Sequence, residues 1–104
     1  MRVEWSDFAW EMLSQTSDNI LYQFGLNSYL TFLNDVDAAV GEIREYPTIA
    51  PVEKLLEDRP FEYRGLVVRS LNKIIYTIDE EHDTIYITDF WDTRREPQVL
   101  AASV

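Results

Sequence analysis

The residues best placed to do chemistry are cations in an acidic chain. Arg64, Arg69 and Lys73 fall within a span of ten residues, and Arg94 and Arg95 stand side by side in "DFWDTRREP". A guanidinium offers a planar fork of donors matched to phosphate or carboxylate. A cluster of such groups can therefore hold an anion or stabilise charge that develops on one. The competing reading is that each arginine neutralises a nearby carboxylate, with Glu62, Asp89, Asp92 and Glu96 in reach along the sequence. That reading fits the Arg94–Arg95 pair least well, because two adjacent cations repel. Trp91 and Tyr86 could stack against bases, although an aromatic in a strand more commonly belongs to a core.

Other chemistries find less support. "DEEHD", Asp79 to Asp83, surrounds the one histidine, His82, with acids. A general base or a weak cation site can be built from such groups, but the run reads more simply as a solvated hairpin turn. The chain has no cysteine, which excludes disulfides, thiol chemistry and cysteine-ligated metal. The glycines Gly25, Gly41 and Gly65 are isolated, so there is no glycine-rich phosphate loop. No serine lies in a recognisable nucleophile turn. No metal or cofactor is expected.

The elements that must position these residues follow from periodicity. Val3 and Trp5 alternate with Arg2 and Glu4, a short strand. Ser6 is placed to cap a helix that carries Asp7 in its first turn and runs to about Tyr22. "QTSDN" within it is weak for a helix, since Ser, Asp and Asn compete for backbone bonds. Gly25 breaks the pattern, and Ser28 is a second cap. Tyr29, Leu33, Val36, Val40 and Ile43 then draw one stripe down a second helix, which Pro47 stops. So short a joint makes the two helices an antiparallel hairpin. A connector with Pro47, Pro51 and Pro60 holds a short helical turn between Val52 and Leu56. Three strands follow, "FEYRGLVVRS", "NKIIYTI" and "DTIYITDFW", joined by the turns "SLN" and "DEEHD". In the last strand Ile85, Ile87 and Asp89 alternate against Tyr86 and Thr88. The expected architecture is α+β, in the order β-α-α-β-β-β, with a helical hairpin on a mostly antiparallel sheet. Residues 1–104 read as a single domain.

Nineteen Asp and Glu against nine Lys and Arg give a net charge of -10. The first sixty residues hold eleven of the acids and four of the bases. That half should repel nucleic acid, whose binding needs cations to displace counterions. The acid serves solubility, or it meets a basic partner. There is no signal-peptide pattern and no apolar run near the ~18 residues of a membrane helix, so the cytoplasm is the expected location.

The run "FEYRGLVVRSLNKIIYTIDEEHDTIYITDFWDTRREP" resembles the C-terminal half of the RelE/ParE toxins of bacterial type II toxin–antitoxin systems. The signature is Tyr63-Arg64 opening a strand, "KIIY" at Lys73 to Tyr76, an acidic turn, and Asp92-x-Arg94-Arg95-x-Pro97. The front half agrees, with a strand, a helical hairpin containing "QFGLNSYLTFL", and the exit "EYPTIAP". The resemblance spans nearly the whole chain and implies the same β-α-α-β-β-β order.

It also implies two mechanisms. RelE-like members cleave messenger RNA on the ribosome with spread Lys and Arg side chains and a C-terminal Tyr, or with a Glu/His pair. ParE-like members bind and poison DNA gyrase. Both are silenced by a cognate antitoxin, as a hetero-oligomer, and a homodimer is compatible with the fold. Arg64, Lys73 and Arg95 match basic positions of the nuclease type and are its catalytic candidates. Leu66, however, stands where a further basic residue belongs. No tyrosine or histidine follows the arginine pair, and the net charge has the wrong sign for docking on RNA. The non-nucleolytic reading is therefore preferred, with Arg64, Arg69, Lys73, Trp91, Arg94 and Arg95 as the surface for target or antitoxin. The third alternative is a small α+β interaction module without toxicity, whose arginines are structural.

Overall fold

The computed structural model describes residues 1–94. The elements run β1 (Arg2–Trp5), α1 (Asp7–Phe24), α2 (Leu26–Glu45), a 3-10 turn (Lys54–Leu56), β2 (Tyr63–Val68), β3 (Asn72–Asp79) and β4 (Thr84–Asp92). Ser6 caps α1 as expected: its Oγ accepts the Ala9 amide at 3.0 Å. The Ser6 amide also donates to the Ile87 carbonyl at 2.8 Å, which ties the start of α1 to β4. The weak segment inside α1 is helical nonetheless, with Leu13 and Ser17 buried and its hydroxyls bonded back along the helix, Thr16 to the Met12 carbonyl and Ser17 to that of Ser14.

The joint between the helices is shorter than the sequence suggests. Gly25 alone ends α1 and starts α2, at φ 90, a backbone state that L side chains avoid. Ser28 therefore lies inside α2 and caps nothing, and α2 begins without a side-chain cap. The buried stripe of α2 is Phe32, Val36, Ala39 and Ile43, with Leu33 and Val40 packed at its flank. It is rotated from the expected stripe because Phe32 points inward, its ring edge-on to Phe90 at 5.9 Å.

The four strands form one mixed sheet in the order β1-β4-β3-β2. β1 runs parallel to β4, and the other pairings are antiparallel. The helical hairpin covers one face, where Ala9, Leu13, Phe32 and Ile43 meet Ile74, Tyr76, Ile85, Ile87 and Phe90. The connector covers part of the opposite face, where Leu56 packs with Ile75 and Trp91. In β4 the alternation breaks at a bulge: Ile75 pairs with Asp89 but Tyr76 pairs with Ile87, leaving Thr88 extra. Ile85 and Ile87 thus share the helix face with Phe90, while Asp89 is buried and does not continue their row. Among the described residues no helix is long and apolar enough to cross a membrane.

Candidate functional site

Arg64 lies on β2 opposite Tyr76 of β3. One guanidinium nitrogen donates to the Ala50 carbonyl at 2.7 Å and another to Glu62 Oε1 at 3.1 Å. Its Nε is buried without an acceptor. Tyr76 donates its hydroxyl to the Pro47 carbonyl at 2.6 Å. The two side chains together fasten the exit from α2 to the sheet. Burial pushes the Tyr76 phenol above its ordinary value, against the Ala50 backbone hydrogen bond and the Arg64 charge.

Lys73 faces the other side of the sheet. Its Nζ donates to Glu53 Oε2 at 2.7 Å and sits 4.8 Å from the centre of the Trp91 ring, a cation–π contact. Trp91 is its register partner on β4 and is only 5% exposed. It therefore serves as a buried floor under Lys73 rather than an open platform for a base. Glu53 reaches this position because its own amide donates to the Tyr63 carbonyl at 2.7 Å, fixing the connector along the edge of β2. Gly65 leaves the room: a Cβ there would lie 2.6 Å from Lys73 Cδ and 2.9 Å from Glu53 Oε2.

Arg69 stands in the β2–β3 turn at φ 53 and pairs with Asp35 of α2 at 3.5 Å. Arg94 follows β4 and folds onto its own Asp92, with Nε to Oδ1 at 3.0 Å and Nη2 to Oδ2 at 2.7 Å. The Thr93 amide donates to the Leu71 carbonyl at 2.8 Å, so this arginine shares one end of the sheet with the β2–β3 turn. Arg95 lies outside the described residues, as does Glu96. Of these four cations, Arg64 and Lys73 lie on opposite faces of the sheet, while Arg69 and Arg94 share one end of it. Each is paired with a carboxylate of the same chain: Arg64 with Glu62, Arg69 with Asp35, Lys73 with Glu53, and Arg94 with Asp92.

Sequence reasoning missed what the acidic turn does. The β3–β4 turn forms one wall of a cleft of about 1040 Å³ at the other end of the sheet. Phe61, Tyr63 and Tyr86 line it together with Asp79, Glu80 and Glu81. His82 Nδ1 lies 2.7 Å from Asp79 Oδ2, and that hydrogen bond is the main reason the Asp79 carboxyl falls below its ordinary range. No group of three or more metal-ligating side chains occurs among the described residues. The acidic run was the available signal for the cleft. What hid its meaning is that Phe61 and Tyr63 reach it from the start of β2 and the residues just before it, far along the chain from the acidic turn.

No protein-family model and no curated protein sequence matches the chain. Among solved structures, the chain is similar to one from the chromosomal ParDE TA system from P. aeruginosa. The TM-score is 0.70 at 15% sequence identity, over 88% of this chain and 95% of that one. The likeness is one of fold: the strand, helical hairpin and three-stranded meander described above form a RelE/ParE-like α+β architecture.

Proposed function

We propose that this protein is the toxin member of a type II toxin–antitoxin pair, of the ParE kind, acting in the cytoplasm by binding a cellular protein. The fold shared with a chain of a ParDE system supports the class. One observation favours binding over RNA cleavage: every described cation of the candidate set is already paired within the chain. A nuclease needs cations aimed at the phosphate as charge develops on it. Here the carboxylates hold that place, and the excess of acid opposes approach to RNA.

An antitoxin has two surfaces to cover. Tyr22, Phe24, Leu26 and Leu30 expose apolar side chains at the tip of the helical hairpin. Beyond its bridge to Val52, β2 is an edge strand, open to an added strand from a partner. The target implied by the resemblance is DNA gyrase, with the ribosome as the alternative. The internal pairing of Arg94 with Asp92 also favours a second reading, an interaction module without toxicity.

Expression of the protein alone in bacteria separates these readings. Growth arrest, relieved by co-expression of a cognate antitoxin, is the expected result, with no new cleavage sites in cellular messenger RNA. Arrest accompanied by RNA cleavage would restore the nuclease reading. No arrest from folded protein would leave the interaction module.

A further inference from the structure

The cleft at the β3–β4 end carries an inference beyond the toxin reading and independent of it. No Lys or Arg lines it. Its wall residues Asp7, Glu80 and Glu81 are exposed and form no ion pair among the described residues. Asp7 also offsets the positive end of α1 where that helix meets the cleft. The floor is aromatic, and Phe61 leaves 65% of its surface in water. Acid beside an open ring is costly to bury and cheap to match: the stem of an Arg or Lys covers the ring while its head reaches the carboxylate. The volume sits at the upper end of the range for small-molecule pockets, roughly 300–1,000 Å³, which suits a stretch of chain better than one small ligand.

We propose that this cleft docks a basic segment of a partner protein, with Arg or Lys side chains over Phe61 and Tyr86 and their cationic heads at Glu80 and Glu81. The charge complementarity selects the occupant. Nucleic acid is repelled by the same carboxylates, and an acidic peptide has no counter-charge there.

The test uses the full chain and a short synthetic arginine-rich peptide, blocked at both ends, beside its arginine-to-glutamine counterpart. Calorimetry should give saturable binding of the arginine peptide alone, weakened by added salt. The Glu80→Gln/Glu81→Gln variant should lose roughly tenfold in affinity, as the loss of two facing charges predicts. Asp18→Asn/Glu42→Gln, which changes the net charge equally at exposed positions away from the cleft, should bind within about twofold of the parent if docking is local. Phe61→Ala, at an exposed position, should also weaken binding without unfolding the chain. Backbone amide shifts on titration should map to residues 61–63 and 79–88. Equal weakening by both double variants, shifts spread over the helices, binding of free arginine as tight as of the peptide, or no saturable binding would each overturn the proposal.

Discussion

Gly65 decides whether Lys73 can meet Glu53. A side chain there would sit within 3 Å of both partners, so Gly65→Ala must push the lysine stem or the carboxylate aside. The expected cost is about 1–3 kcal/mol, the usual range for overpacking, read from the midpoint of urea unfolding. On a Lys73→Ala background the same change should cost less, because the obstructing stem is gone. An unchanged cost would place the strain elsewhere. Tyr76 supplies a second prediction. Burial raises its phenol above 10.0, so the folded chain keeps a proton that the unfolded chain releases. Its contribution is complete below pH 10 and is lost as pH rises through the folded value. Tyr76→Phe should cost about 1 kcal/mol at neutral pH for the lost bond to Pro47. The gap to wild type should narrow in urea titrations above pH 10. At this scale the sequence revealed the pairs that are close along the chain, Arg64–Glu62 and Arg94–Asp92. Lys73–Glu53 and Arg69–Asp35 were hidden, because a connector and a helix bring those acids in from far along the chain.

The elements were more legible than their joints. Ser6 as a cap, the helical run of α2 and the three β-rich runs each have a local cause that tertiary packing did not override, although packing on Phe90 rotated the buried stripe of α2. The bulge at Thr88 has no such cue. It follows from the need to set Phe90 against Phe32 while Trp91 fills the opposite face, and it moves Asp89 out of the row that simple alternation predicts. The β2–β3 turn was legible from "SLN", but it falls one residue earlier, at Arg69 to Leu71, and contains no glycine. Arg69 and Ser70 nevertheless adopt φ 53 and φ 61. Left-handed residues with a Cβ carry a penalty of roughly 1–2 kcal/mol, and glycine returns part of that gain as chain entropy. Ser70→Gly should therefore stabilise the fold by about 0.5–1 kcal/mol. The side chain of Ser70 faces solvent, so little packing is lost. A thermal scan that finds Ser70→Gly less stable than the parent would mean that the turn is held by contacts this balance omits.

At the scale of the whole molecule, the charge of -10 sets two opposed effects of salt. Screening weakens the ion pairs, and it also weakens the repulsion among the many carboxylates that have no cation. The exposed pairs, such as Arg94–Asp92 and Arg69–Asp35, contribute little at any salt concentration. Lys73–Glu53 is mostly buried and is screened less. Relief of repulsion should therefore win at pH 7, and raising sodium chloride from about 0.05 to 0.5 M should raise Tm, since the screening length falls from well over 10 Å to a few Å. Near pH 4.3, where the net charge vanishes, the gain should disappear. Below that point the Asp79 carboxylate works in the opposite direction. Its depressed value means that the stability it brings is present above pH 3.8 and is lost as pH falls through the folded value. In low salt Tm should therefore rise from pH 7 toward pH 4.3, as the repulsion is titrated away, and then drop. A Tm that falls with salt at pH 7 would show that the ion pairs outweigh the unpaired acid.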